Sequence, residues 1–280
     1  MVPQAPAPRS RRPAGLALAG LLAAALIVPA SVAAAPTAPS IAAVSSAEAS
    51  MLAALNRDRT ARGLVPARTD PRLMAIARAR SVDMATKHYF SHGQPDGRNV
   101  FDILSAQRIS WYSAGEIIAW NTNAISTTTS TANSQWMHSP GHKAIVVSTA
   151  MNYVGVGLAW DSSQNHMVWT AVFMKGPDRT GPQVTFATPK VSAGSTSANR
   201  RVTLSWNGAD VRLQVLTAGF RAFTLQSRID DGPWRTVWSS TTRKSAAFIL
   251  ALGHRYEFKV SAFDRRSNRG AALTRAVDLR

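Results

Sequence analysis

The chain has 280 residues, of which 45% are hydrophobic, and a formal net charge of +17. That apolar content supplies packed cores and excludes a disordered protein, and the length exceeds one ordinary domain, so two domains are expected. The absence of cysteine excludes structural disulfides, a thiol nucleophile and a lipid-modified cysteine anchor.

Residues 1–35 read as a secretory signal. Arg9, Arg11 and Arg12 form the basic start, Leu16 to Val28 the apolar stretch, and Ala33-Ala34-Ala35 a small-residue cleavage site, so the mature chain is expected to start near Pro36. Ser10-Arg11-Arg12 also has the look of a twin-arginine signal, which leaves the export route open. The apolar stretch is 13 residues long, short of the roughly 20 needed to span a bilayer, and no later run is longer, so no transmembrane segment is expected.

Residues 36–46, rich in Ala, Pro and Ser, read as a linker, and a first domain is expected over 47–175. Ser45 and Glu48 have capping-box spacing before a helix whose Leu52 and Leu55 share a face, and Gly63 sits where that helix would stop. Asp70-Pro71 starts a second helix with Leu73, Ile76, Ala77 and Met84 on one side. A short third helix is expected from Asn99 to Gln107, and the threonine-rich stretch Ile125 to His138 is expected to be helical near Trp136. From Met151 the pattern turns to strands: one around Tyr153 to Trp160, a polar turn at Asp161 to Asn165, and one from Met167 to Met174. Helices first and an antiparallel pair afterwards predict an α+β layered domain.

Residues 176–183 have the Gly/Pro content of an interdomain joint, and 184–280 show no helical periodicity. Strands are expected at Val202–Trp206, Phe223–Gln226, Trp234–Trp238 and Tyr256–Val260, separated by turn signals such as Asn207-Gly208 and Asp231-Gly232. About a hundred residues of this kind predict an all-β sandwich. Residues 36–181 carry 13 Lys/Arg against 9 Asp/Glu, whereas residues 182–280 carry 16 against 6, so the positive field belongs to the C-terminal third. Extracellular anions suit such a surface: an anionic wall polymer, a polysaccharide or a lipid headgroup. Nucleic acid is the poorer fit, because the chain is read as exported and its arginines are dispersed.

Three short stretches concentrate the chemistry: Tyr89-Phe90-Ser91-His92, Gly115-Glu116-Ile117-Ile118, and Trp136-Met137-His138-Ser139-Pro140-Gly141-His142. His92 is expected on a loop. Ser139-Pro140-Gly141 places His142 near the start of a short helix. Glu116, beside buried-looking isoleucines, needs a partner, for which a histidine is the economical choice. The imidazoles and the carboxylate could hold Zn²⁺ with an open fourth position or form a hydrogen-bonded cluster that fixes a cleft. The residues leave both open. Trp111, Trp120, Trp136 and Trp160 could line a groove for a sugar or lipid chain, with three of the four expected in the core. His88 and His166 read as surface residues, and no Gly-x-Ser-x-Gly, phosphate-binding glycine loop or His-Glu-x-x-His is present.

The order of these stretches, with Leu55-Asn56-Arg57, Gly63-Leu64 and Val154-Gly155-Val156-Gly157, resembles the CAP superfamily (SCP domains) in its bacterial form over 47–175. The resemblance implies an α-β-α sandwich whose cleft is lined by two histidines and acidic residues and in some members holds a divalent metal. By matched motif His92 takes the first histidine position, Glu116 the glutamate of the Gly-Glu-Asn-Ile-like motif with Ile117 in place of Asn, and His142 belongs to Ser-Pro-Gly-His. The family's second glutamate has no counterpart, since Met137 to His142 contains no carboxylate, and a four-ligand site is one group short. The second domain is similar to a fibronectin type III or immunoglobulin-like module through Ser205-Trp206 and Tyr256 to Asp264. The resulting expectation is a secreted, non-enzymatic binding protein for an envelope-derived or lipid-like ligand, with the basic sandwich aiding adhesion. Two alternatives stand beside it: a metal-dependent hydrolase of wall or peptide substrates using His92, His142 and Glu116, and an adhesion protein in which the sandwich does the binding.

Overall fold

The computed structural model describes residues 38–280; the signal sequence and cleavage point read near Pro36 lie outside them. Helix α1 (Ile41–Thr60) begins inside the stretch read as a linker, and its N-cap is Ser40, whose hydroxyl accepts from the Ala43 N–H. Ser45 and Glu48 therefore form no cap. Alanine is the strongest helix former, so the composition that reads as a linker extends the helix once serine caps it. Glu48 is buried instead and pairs with Arg78 at 2.5 Å. After the short β1 (Arg68–Thr69), α2 (Pro71–Lys87) starts with Asp70 as N-cap and Pro71 in its first turn. Helix α3 (Val100–Ala106) carries a complete Asn99/Asp102 capping box.

Strand β2 (Ser113–Asn121) follows, then α4 (Thr128–His138), α5 (Pro140–Val146), β3 (Tyr153–Asp161) and β4 (His166–Lys175). The sheet order is β1-β3-β4-β2, with β1 parallel to β3 and the remaining pairs antiparallel. One sheet face packs on α1, α4 and α5 through Met51, Leu55, Trp136, Val156 and Trp169. The other packs on α2 and α3 through Leu73, Ile76, Leu104, Val172 and Met174. This is a three-layer α-β-α arrangement. Helix α2 lies directly on β3: a Cβ at Gly155 would stand 2.1 Å from the Leu73 carbonyl carbon, and one at Gly157 would stand 2.2 Å from the Arg78 nitrogen. Only glycine admits that approach.

Two buried polar groups brace the layers. Arg59 is fully buried, and no carboxylate among the described residues pairs with it; its guanidinium donates to the carbonyls of Val65, Val146, Ser148 and Met151. Burial pulls its pKa down from the ordinary arginine value. Asp161, at the end of β3, accepts from Ser163 and Gln164 and bonds His88 Nδ1 at 3.1 Å, tying the β3–β4 turn to the end of α2. Burial pushes its carboxyl up, but the bonds from Ser163, His88 and the turn backbone outweigh it and hold its pKa at about 2, against an ordinary 3.8. The folded value lies below the unfolded one, so this stabilisation is full above pH 3.8 and is lost as the pH falls through about 2. Asp161→Asn should therefore flatten the acid limb of a melting-temperature profile in that window. An unchanged slope would show that other carboxylates set it.

Beyond Lys175 the chain is all strand: β5 (Gln183–Phe186), β6 (Lys190–Ala193), β7 (Asn199–Ala209), β8 (Phe220–Ile229), β9 (Arg235–Thr241), β10 (Ser245–Ala251), β11 (Arg255–Asp264) and β12 (Leu273–Asp278). One sheet runs β10-β7-β5 with β6 also on β7, and the other runs β12-β11-β8-β9. Phe186, Leu204 and Trp206 from the first meet Phe223, Leu225, Phe258 and Val260 from the second in one core. The joint between the two halves is held in place. The β7–β8 loop reaches the first half through Gln214, which accepts from the Val65 N–H, and through Val215, whose carbonyl accepts from Asn152 Nδ2. Asp178 accepts from the Ala218 N–H, and its carbonyl accepts from Asn268. Asp178, Asp210 and Asp264 converge there, and burial together with those neighbouring carboxylates raises the Asp210 pKa. Among the described residues no helix is long and apolar enough to cross a membrane.

Candidate functional site

The site is assembled from α2, the loop after it, β2 and the α4–α5 corner. In α2 the apolar stripe Leu73, Ile76, Ala77 and Met84 also contains Arg80, one turn beyond Ile76 and Ala77, and Arg80 is wholly buried. Successive β2 residues point to opposite faces, so Glu116 and Ile118 face α2 while Ile117 faces α1 and α4. Glu116 thus meets Arg80: Nε donates to Oε1 at 2.9 Å, and Nη2 approaches Oε2 at 3.4 Å. The remaining Arg80 N–H groups donate to the Tyr89 hydroxyl at 2.7 Å and to the carbonyls of Ser91 and His92 at 2.7 and 3.1 Å. Tyr89 in turn donates to Asp83. Burial opposes the charge on Arg80, but its bonds to Glu116 outweigh that and raise its pKa. Tyr89 is pushed up to about 12 by burial and by its bond to Asp83.

His92 lies on the loop as expected, with its side chain largely exposed, and its Nδ1 bonds Glu116 Oε2 at 2.8 Å. His142 sits in the first turn of α5, as Ser-Pro-Gly predicts, and its ring makes no hydrogen bond with the described residues. Burial lowers its pKa, and the neighbouring His92 adds to the effect. The histidine partner expected for Glu116 is present, and a second partner, Arg80, pairs with the same carboxylate. A charged residue inside the apolar stripe of α2 was the signal for it.

These positions do not fit a three-ligand zinc site. Both Glu116 oxygens are engaged by Arg80 and His92. The ligand atoms of His92, Glu116 and His142 do not converge; among the described residues the group of three that does is Asp178, Asp210 and Asp264. Glu116 instead orients the His92 ring and directs its Nε2 outward.

A groove of ≈ 540 Å³ opens along β2, beside His142. Phe90, Ile118 and Trp120 give it an apolar wall, while Asn121, Gln135 and Ser139 add a polar lip. Trp120 is 42% exposed, stacks on His166 with ring centroids 4.0 Å apart, and accepts at its carbonyl from Gln135. Of the four tryptophans considered for a groove, Trp136 is fully buried and Trp111 and Trp160, partly exposed, pack against the core, as expected for three of the four; Trp120 is the open one. Strand β2 is at the sheet edge, and that edge leaves Trp120 facing solvent.

Comparison with known proteins matches residues 52–173 to the CAP family, the Cysteine-rich secretory protein family. The "Uncharacterized protein YkwD" of Bacillus subtilis (strain 168) is 33% identical over 132 residues, covering 47% of this chain and 48% of that one. The chain thus spans about half the length of the curated relative it matches. Among solved structures, an extracellular protein containing a SCP domain from Bacillus anthracis str. Ames is 24% identical with a TM-score of 0.41, covering 47% of this chain and 41% of the other. A cysteine-rich secretory protein from Staphylococcus aureus subsp. aureus Mu50 is 16% identical with a TM-score of 0.39, covering 49% and 41%. Residues 52–173 are thus similar to CAP (SCP) domains, including that of a bacterial relative.

Proposed function

We propose that the chain is a secreted, non-enzymatic CAP protein that binds an envelope-derived glycan in the groove beside His142, while its basic second module keeps it on anionic surfaces. The reading draws on the secretory signal in the sequence and on solved relatives described as extracellular and secretory. The second module is read as a fibronectin type III-like sandwich.

One observation carries the reading: the groove pairs an exposed tryptophan with amide and hydroxyl groups, whereas the nearby carboxylate, Glu116, is closed off behind Arg80. An indole face takes the apolar face of a sugar ring, and amides take its hydroxyls. A hydrolase would need Glu116 free as a metal ligand or general base, and both its oxygens are engaged.

Trp120→Ala should weaken binding of the mature protein to purified envelope polysaccharide by about tenfold, the equivalent of one aromatic contact of about 1.4 kcal/mol. Equal binding by wild type and variant, or retention of no envelope fraction even at low salt, would sink the proposal. Preference for lipid extract over polysaccharide would move the ligand to a lipid chain.

A further inference from the structure

The charge of the second module has a specific geometry. Along β11, Tyr256, Phe258, Val260 and Ala262 point into the core, so Glu257, Lys259, Ser261 and Phe263 point outward. Two aromatic rings on this outer face each hold a pair of cations. Lys259 Nζ lies 4.1 Å from the Trp234 ring centroid, and Arg228 lies 4.9 Å from the same ring. Arg221 lies 5.6 Å, and Arg269 5.8 Å, from the ring of Phe263.

Ring quadrupoles attract cations, which explains why each ring gathers them. They do not neutralise them. Arg228 is balanced by Glu257 and Asp231, but Arg221, Lys259 and Arg269 join no ion pair with the described residues. Gln226 and Thr224 pair with Lys259 and Ser261 across β8–β11 and provide hydrogen-bonding groups between the two clusters. Lys259 and Phe263 are four residues apart on one strand, which sets the clusters roughly 13 Å apart in a line. Unpaired cations at both ends of an open sheet face, Lys259 at one and Arg221 with Arg269 at the other, are complementary to an anion at each end. Two such ends in line favour a chain with repeated charges over a single small anion.

We propose that the outer face of β8 and β11 is the docking surface for a linear phosphodiester-linked glycopolymer of the cell envelope, gripped at Lys259 and at Arg221/Arg269. This rests on the reading of the second module as the part that keeps the protein on anionic surfaces, and it is independent of the groove beside His142.

The test uses the full mature chain and poly(glycerol phosphate) as probe. The variant Arg221→Gln/Lys259→Gln/Arg269→Gln should bind the polymer at least about tenfold more weakly at low salt, and the slope of log Kd against log salt should fall by roughly two to three, about one per lost contact. The control Lys190→Gln/Arg201→Gln/Lys244→Gln removes the same charge from exposed positions on or beside the opposing sheet and should leave binding within about twofold of wild type. Equal loss in both variants would mean that net charge alone acts, and the docking face would be wrong. Retention on anionic vesicles or duplex DNA but not on the polymer would also overturn it. Trp120→Ala should leave polymer binding intact, so failure of the groove and failure of this face give different results.

Discussion

Arg80→Met is expected to destabilise the α-β-α domain by about 3–5 kcal/mol, the cost of leaving a buried charge without its partner. Arg80 is fully buried, and the side chain of Glu116 is only 3% exposed. Removing the guanidinium leaves Glu116 with one imidazole and takes the donors from the Tyr89 hydroxyl and from the Ser91 and His92 carbonyls. The loop that carries His92 would lose its anchor together with the ion pair. Urea unfolding of the mature protein gives the number, and adding Glu116→Gln to Arg80→Met should recover part of it by removing the stranded carboxylate. A single-variant loss under about 1 kcal/mol would mean that Glu116 finds solvent or protonates cheaply, and that the pair does not organise the site.

The second large effect is expected at Gly157. A methyl group there would stand 2.2 Å from the Arg78 nitrogen and 2.3 Å from the Ala77 carbonyl carbon, so it meets backbone and no rotamer can relieve it. Separating α2 from β3 would open the layer that contains Leu73, Ile76 and Val172. Gly157→Ala should cost about 3 kcal/mol or more, at the upper end for overpacking. Gly141, in the first turn of α5, has nothing within 4 Å of the point where a methyl group would stand, and Gly141→Ala should be neutral or slightly stabilising. Thermal melts of the two variants make the comparison. A soluble Gly157→Ala protein melting with wild type would refute the close contact of helix and strand.

The parts of the fold legible in the sequence were those with local signals. Asn99 and Asp102 cap α3 through neighbouring backbone, Pro140 opens α5, and the β3–β4 pair is divided by a polar turn. Strand β2 gave no alternation, because Gly115 to Ala119 are buried on both faces between helix layers even though the strand lies at the sheet edge. In the second half, β12 was hidden by its arginine and alanine content, and its inward residues Leu273 and Val277 gain meaning only opposite Val260 and Tyr256. At the candidate site, His92, Glu116 and His142 are singled out one by one by their motifs. What no spacing could show is that 36 residues separate Glu116 from the guanidinium that closes it off. The ligand count of a metal site depends on such distant pairings, and they exist only once α2 lies on the sheet.

Arg59 brings the order of events during folding into view. Its guanidinium sits near the end of α1, but three of the four carbonyls that receive it belong to Val146, Ser148 and Met151, up to 92 residues further along the chain. Until that segment has been synthesised and has turned back, the cation has no dry place to go, and α1 can be no more than loosely associated with its neighbours. Closure over so long a span makes the contact late and topologically costly. A nascent chain leaving the ribosome therefore docks its first helix fully only after the segment through Met151 has appeared.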